Sequence, residues 1–172
     1  MTMTSSSTET APLIWTTYSA AMDKDIQSVS IDDMMPVIIE RLESGQSVRF
    51  SPRGTSMLPM LRQGKDSVVL SPIYSRLKKY DLPLYIRDNG KVILHRIIKA
   101  DETYTCLGDN QFIPEIGIRQ DQLIGVVTEF YKGNKRHLVT ERGYKLYCRL
   151  WLSSLGIRHF IHRGIGWLKR RI

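Results

Sequence analysis

The chain has 172 residues, 42% of them hydrophobic and 24% charged, which fits one soluble globular domain with short appendages. No apolar run reaches the roughly 18–20 residues that a membrane-spanning helix needs, and the N-terminus lacks the basic start and apolar core of a secretory signal. The formal net charge is +8, but residues 141–172 hold eight Lys or Arg and one acid, which leaves +1 for residues 1–140. This local excess of basic residues argues against a nucleic-acid-coating domain and for a basic appendage.

The first 45 residues divide into a polar leader and a helix. Residues 1–29 begin "MTMTSSSTET" and show no sustained period, which predicts a disordered leader. In "SIDDMMPVIIERLESG", apolar residues recur at helical spacing, Pro36 is tolerated only near the start, and Gly45 supplies a stop. One helix is therefore predicted to precede the main domain.

From residue 46 to residue 131, short apolar or alternating runs are separated by turns. "SVRFS", "SVVLS", "PLYIR", "KVILHRII", "TYTCLG" and "LIGVVTEFY" are each predicted to be strands. The Asn89-Gly90 pair between two of them is a strong hairpin signal. The fold class predicted from this spacing is a compact, mainly antiparallel β domain.

The two cysteines, Cys106 and Cys148, lie far apart in apolar surroundings. This placement favours buried free thiols over a disulfide framework. No Cys/His pair has the spacing of metal ligands, so neither a metal nor a cofactor is predicted.

Residues 132–172 are predicted to form a basic amphipathic extension. Apolar residues recur near helical spacing from Leu150 to Leu168, and basic residues occupy much of the complementary face. Gly156, Gly164 and Gly166 should break the helix. Two interpretations stay open. The extension is either an interfacial helix that binds an anionic membrane surface, or a helix folded back on the β domain with its Arg and Lys side chains in solvent.

The chemistry-bearing candidates are Ser56, in the otherwise apolar segment "GTSMLPMLRQG", and His95, inside the strand-like run "KVILHRII". A serine is a poor nucleophile unless a base and an oxyanion-stabilising group lie beside it. Histidine is suited to be that base, because its reference pKa of about 6.5 lies near neutral pH. Taken alone, a histidine in such a run is more often a hydrogen-bonded core residue.

Three segments in order, "GTSMLPMLRQGKDSVVL", "DLPLYIRDNGKVILHRI" and "CLGDNQFIPE", resemble the signal peptidase and repressor-autoprotease superfamily of serine peptidases. The likeness covers about half the chain, roughly Val48 to Val127. "LHRI" is similar to the histidine-type members, which include the endoplasmic-reticulum enzymes. The resemblance implies a peptidase domain over residues 30–131, including its N-terminal helix.

By this resemblance, Ser56 is the nucleophile and His95 the base, assisted by Asp109 or Glu115. The implied function is a serine endopeptidase that cleaves extended segments with small residues before the cut, as in signal or leader peptides. No membrane anchor is evident, so we expect a cytoplasmic enzyme or one peripheral to the membrane. Oligomeric state and substrate identity are not predicted.

The sequence departs from the family pattern at Gly54, where a serine often assists the oxyanion hole, at Glu115, which replaces an aspartate, and at an extra residue, Lys65, before Asp66. The N–H of Ser56, with that of Thr55, would then have to form the hole. These departures leave open a non-catalytic peptide-binding or regulatory module on the same fold. A self-cleaving repressor is less favoured, because the chain has no Ala-Gly dipeptide and one preceding helix.

Overall fold

A computed structural model of the chain describes residues 31–160, with side chains from residue 34 onward. The predicted leader 1–29 and the last twelve residues of the predicted extension lie outside these residues. The described part contains two complete helices, nine strands, a short 3-10 turn at Gln120–Gln122 and a further helical stretch at residues 155–160. The elements are α1 Ile31–Glu43, β1 Val48–Phe50, β2 Asp66–Ser71, β3 Pro83–Ile86, β4 Val92–Leu94, β5 Arg96–Ala100, β6 Tyr104–Leu107, β7 Glu115–Ile118, β8 Leu123–Lys132, β9 Lys135–Leu138 and α2 Arg142–Ser153.

The strands form two antiparallel sheets. The larger sheet has the order β1-β2-β8-β3-β4, with β9 paired to β8, and the smaller has the order β5-β6-β7. The predicted mainly antiparallel β class is therefore confirmed, and so is the hairpin at Asn89-Gly90, which joins β3 to β4. Within residues 31–160, no helix is long and apolar enough to cross a bilayer.

The main core lies between α1 and the larger sheet. Ile38 on α1 and Val68 and Leu70 on β2 are fully buried there. Gly125 on β8 permits this close packing, because a Cβ at that position would lie 2.8 Å from Cγ of Leu70. A second buried cluster, around Ile97 and Tyr104, belongs to the smaller sheet.

The segment "KVILHRII" is not one strand, as the sequence predicted, but two. Leu94 pairs with Leu84 in the larger sheet, whereas Arg96 pairs with Leu107 in the smaller one. His95 lies at the junction between the two strands. A single alternating run can serve two sheets in this way, since hydrophobic periodicity does not specify the pairing partner. The switch places His95 between the sheets rather than within one of them.

The described part of the predicted extension, residues 132–160, packs on the β domain, which is one of the two arrangements that the sequence left open. β9 pairs with β8, and helix α2 buries Tyr144 and Cys148 in the main core. Lys132, the first residue of the predicted extension, is the last residue of β8, and the inward face of α2 carries apolar and aromatic side chains that the core covers. Cys106 and Cys148 are both buried and free, as predicted.

Candidate active site

Ser56 lies in a run of turns between β1 and β2 whose apolar side chains point into the core. Met57, Met60 and Leu61 are at most 5% exposed, whereas Ser56 is half-buried. The end of the segment is held by Asp66, whose carboxylate accepts hydrogen bonds from the backbone N–H and the guanidinium of Arg62. The apolar residues of this segment thus anchor it in the core, while Ser56 stays partly exposed.

The loop after β6 holds the backbone of Ser56. The N–H of Asn110 donates to the carbonyl oxygen of Ser56 at 2.8 Å. Gly108 lies against the same oxygen so closely that a Cβ there would be 2.8 Å from it. The "GDN" sequence therefore holds the serine segment in two ways. Gly108 permits the close approach of the two backbones, and the N–H of Asn110 makes the hydrogen bond to Ser56.

Ser56 and His95 line the same small pocket, which has a volume of about 100 Å³. Its other walls come from the segment around Ser56 and from β4, including Val92 and Ile93. His95 is only 2% exposed, so its imidazole reaches the pocket from the interior.

Glu115 is the acid that contacts His95. Its Oε1 lies 3.0 Å from Nδ1 of His95. The hydroxyl of Tyr85 is 3.3 Å from the same nitrogen. Arg87 holds both carboxylate oxygens of Glu115, with Nε 2.7 Å from Oε2 and a second, very short bond from its terminal nitrogen to Oε1. Because a carboxylate can only accept, this arrangement favours a proton on Nδ1 and leaves Nε2 as the basic nitrogen.

The local electrostatics keep His95 neutral and Glu115 charged near neutral pH. Burial lowers the pKa of His95 below its ordinary 6.5, and the opposing attraction of Glu115 does not cancel this effect. Burial by itself would raise the pKa of Glu115, but the hydrogen bonds from Arg87 and the neighbouring His95 lower it below its ordinary value. A neutral imidazole beside an ionised carboxylate is the combination that a general base requires.

Asp109 has a different partner. Its two oxygens accept from Nε and the terminal nitrogen of Arg96, each at 2.8 Å, and both side chains are fully buried. Tyr147 donates a third hydrogen bond to Asp109 at 3.0 Å. Of the two acids that the sequence left open, Glu115 is the one at hydrogen-bond distance from Nδ1 of His95.

The backbone next to Ser56 explains the glycine at position 54. Gly54 has φ +87°, a conformation that a serine would adopt only with strain. Its N–H donates to Oε1 of Gln63 at 2.8 Å and is therefore committed. The N–H groups of Ser56 and Thr55 are left as the candidate oxyanion donors, as the sequence suggested.

Sequence reasoning missed Tyr85 and Arg87. A signal was present, since alternate residues of a strand share a face and the Asn-Gly turn fixes the register of the β3–β4 hairpin. Tyr85 pairs with Ile93 in that hairpin, and the two-residue alternation of a strand leads from Tyr85 to Arg87. Comparison of the chain with protein-family models, with curated proteins and with solved structures found no match.

Proposed function

We propose that the chain is a serine endopeptidase that uses Ser56 as nucleophile, His95 as general base and Glu115 as the residue that orients the base. The observation that carries this proposal is the shared pocket of Ser56 and His95, together with the 3.0 Å contact between His95 Nδ1 and Glu115 Oε1. The fold proposed is that of the signal peptidases and repressor autoproteases, whose sequence pattern the chain resembles.

In the acylation step, Oγ of Ser56 attacks the carbonyl carbon of the scissile peptide bond while Nε2 of His95 accepts the hydroxyl proton. The lowered pKa of His95 keeps its imidazole neutral and able to accept that proton at neutral pH. Glu115 then stabilises the imidazolium through Nδ1. The N–H groups of Ser56 and Thr55 face the developing oxyanion.

The tetrahedral intermediate collapses when His95 returns the proton to the leaving amine and the C–N bond breaks. A water molecule then attacks the acyl ester of Ser56, giving up its proton to Nε2 of His95. That proton returns to Oγ of Ser56 as the acid product leaves. Every proton thus passes through Nε2 of His95, from Ser56 to the leaving amine and then from water back to Ser56, so the scheme calls for no metal or cofactor.

The substrate class follows from the shape of the site. β4 is an edge strand of the larger sheet and also lines the pocket, so an extended peptide can pair with it through backbone hydrogen bonds. A pocket of about 100 Å³, walled by Val92, Ile93 and Met57, accommodates a small side chain. Extended segments with small residues before the cut, as in signal or leader peptides, are therefore the proposed substrates.

The test is to incubate the full chain with a proteome-derived peptide library and to identify the new termini by mass spectrometry. We expect cleavage after small residues, with Ser56→Ala and His95→Ala each abolishing it. The matched control is Ser67→Ala, which removes a hydroxyl from a nearby strand. Cleavage that persists in both the Ser56 and the His95 variant would refute the proposal.

The alternative is a peptide-binding module without catalysis, which Gly54 keeps open because it removes one oxyanion donor of the family pattern. The same library distinguishes the two functions. If the wild-type chain retains extended peptides but releases them intact, and Ser56→Ala binds equally well, the binding module is the correct function.

A further inference from the structure

The peptide unit between Asp109 and Asn110 links helix α2 and the helical residues 155–160 after it to the backbone of Ser56. The carbonyl oxygen of this unit, which belongs to Asp109, accepts hydrogen bonds from Nε1 of Trp151 and from a guanidinium nitrogen of Arg158, both at 2.9 Å. Its N–H, which belongs to Asn110, donates to the carbonyl oxygen of Ser56 at 2.8 Å. Because a peptide unit is planar, fixing its carbonyl also fixes the direction of its N–H.

Trp151 and Arg158 are themselves held in place. The guanidinium of Arg158 lies over the Trp151 ring, 3.9 Å from its centroid, and donates to the Trp151 carbonyl oxygen at 3.1 Å. Nε of Arg158 also bonds the hydroxyl of Ser154 at 3.2 Å. Because Trp151 and Arg158 hold each other in place, the Asp109 carbonyl oxygen that both of them bind has little freedom to move.

The same region, residues 142–160, contacts the loop at two further places. Tyr147 donates to the carboxylate of Asp109, and His159 stacks on Phe112 with ring centroids 5.2 Å apart. Four side chains from residues 142–160 therefore hold residues 109–112, which lie directly against the segment of Ser56.

We propose that Trp151 and Arg158 are positioning residues that set the place of Ser56 through the Asp109–Asn110 peptide. This inference rests on the proposed function for its effect on catalysis. The C-terminal helix is then a part of the active-site framework rather than an appendage. Loss of either donor lets the peptide unit rotate, which weakens the Asn110–Ser56 bond and moves the nucleophile away from His95.

The variants are Trp151→Phe, which removes the indole N–H but keeps a ring under the guanidinium, and Arg158→Gln. The matched control is Arg149→Gln, which removes an exposed arginine from the same helix. We expect both test variants to lower kcat about tenfold to a hundredfold with KM unchanged, because small misplacements of a reacting group are costly. A kcat equal to that of the control in both variants would overturn the inference.

Amide hydrogen exchange at Asn110 gives a second readout that does not depend on activity. We expect faster exchange in Trp151→Phe and Arg158→Gln than in wild type or Arg149→Gln. Unchanged exchange overturns the link between helix and loop even if the enzyme is active. Faster exchange in a chain that cleaves no peptide supports the link and refutes the proposed function instead.

A second inference rests on the opposite, outward face of the same region. Four large apolar side chains are exposed there, Leu146 at 56%, Leu150 at 60%, Ile157 at 68% and Phe160 at 82%. Their spacing of four, seven and three residues places them along one side of the helical region, away from the buried Tyr144 and Cys148. A row of exposed apolar side chains is a contact surface for a partner.

The charge of the region indicates what that partner is. After Glu141 the sequence contains eight Lys or Arg and no acid. Three of these bases, Arg142, Lys145 and Arg149, are exposed on α2 beside the apolar row. Apolar side chains flanked by bases match a bilayer interface that has acyl chains below anionic headgroups. We infer that this outward face binds the surface of an anionic lipid bilayer.

The test is flotation of the full chain with vesicles of phosphatidylcholine alone or with 30% phosphatidylglycerol. We expect binding to the anionic vesicles that weakens with salt and falls at least tenfold in the double variant Leu150→Glu, Phe160→Glu. The matched control is Tyr74→Glu, which alters an equally exposed ring elsewhere on the domain. Equal binding by the double variant would overturn the inference. So would self-association without vesicles that the double variant abolishes, which would assign the face to a second copy.

Discussion

The two carboxylates that the sequence could not tell apart lie in contrasting regions. Asp109 forms an ion pair with Arg96 in which both side chains are excluded from water. Glu115 forms a partly exposed ion pair with Arg87, called the rim pair below, in which 19% of the Glu115 side chain is exposed. Each is held by both nitrogens of an arginine fork, Arg96 in the interior and Arg87 at the rim. The arginine partner is therefore not what distinguishes them. The distinguishing feature is the imidazole of His95, which only the rim carboxylate contacts at hydrogen-bond distance.

The surroundings of the two arginines explain why the regions behave differently. Arg96 also bonds the Tyr144 hydroxyl, the Tyr80 carbonyl oxygen and two sulfur atoms. Burial opposes its charge, but the hydrogen bonds to Asp109 outweigh that effect and its pKa lies well above the ordinary value. This hydrogen-bond network joins β5, the loop after β6 and α2, so its role is structural. The rim pair is one-third exposed at Arg87, and its carboxylate contacts the imidazole of His95.

The largest effect on stability is expected from Asp109→Asn. The amide cannot balance the buried guanidinium of Arg96, and breaking one side of a buried ion pair typically costs about 3–5 kcal/mol. Urea denaturation followed by circular dichroism measures this change in the free energy of unfolding. Glu115→Gln is the matched control, with an expected loss of about 1 kcal/mol or less because the rim pair is partly hydrated. Equal losses in the two variants would remove the distinction between the regions.

The largest effect on catalysis among the acids is expected from Glu115→Gln. Loss of the carboxylate removes the group that stabilises the His95 imidazolium, so kcat should fall on the order of 10²-fold or more while KM changes little. Steady-state kinetics with a cleaved library peptide measures it. Glu115→Asp is the informative comparison, since a shorter carboxylate can restore part of the rate and an amide cannot. A full rate in Glu115→Gln would mean that Glu115 is a surface carboxylate only.

The sequence predicted the fold class and the candidate residues, because those depend on local signals. The strand alternation, the Asn89-Gly90 turn and the ordered motifs around Ser56, His95 and Asp109 are all contained in short windows. The partition of "KVILHRII" between two sheets could not be predicted, since both halves of the segment fit the pattern of one continuous strand. That partition is what brings Glu115, on β7, to the side of His95.

The roles of the two acids and of α2 depend on contacts between residues distant in sequence. Asp109 meets Arg96 thirteen positions away and Tyr147 thirty-eight positions away. No period or motif encodes those distances, and a basic amphipathic pattern fits both a helix on a membrane and one packed on a core. The structure shows that α2 packs on the core with one face while its other face stays exposed.

The rim pair, Glu115 and Arg87, can also be tested by pH. Substitutions of the two residues should move the titration of His95 in opposite directions. In the proposed mechanism neutral His95 is the active form, so the rate should rise with pH through the His95 pKa, which lies below 6.5. Glu115 raises that pKa and Arg87 lowers it. The acid limb of kcat/KM should therefore shift to lower pH in Glu115→Gln and to higher pH in Arg87→Gln.

Opposite shifts identify a titrating group close to both charges, which is the position of His95, because loss of a negative charge lowers a neighbouring pKa and loss of a positive charge raises it. The internal Asp109→Asn variant is unsuitable as the comparison, since it destabilises the fold. Arg136→Gln, which breaks an exposed pair with Glu129 far from the pocket, is the control and should leave the limb unmoved. Shifts of the same sign in both variants would assign the limb to another group.

The smallest effect is expected from Tyr85→Phe, and it decides which neighbour sets the tautomer of His95. The Tyr85 hydroxyl is 3.3 Å from Nδ1 and the Glu115 oxygen is 3.0 Å from it. If Glu115 holds the Nδ1 proton, removing the hydroxyl costs one hydrogen bond of about 0.5–1.5 kcal/mol in stability and less than about tenfold in kcat. Because burial strongly raises the pKa of Tyr85, its hydroxyl stays protonated and cannot replace the carboxylate as the negative partner of an imidazolium. A loss in Tyr85→Phe greater than that in Glu115→Gln would reverse the assignment and make the rim carboxylate secondary to the phenol.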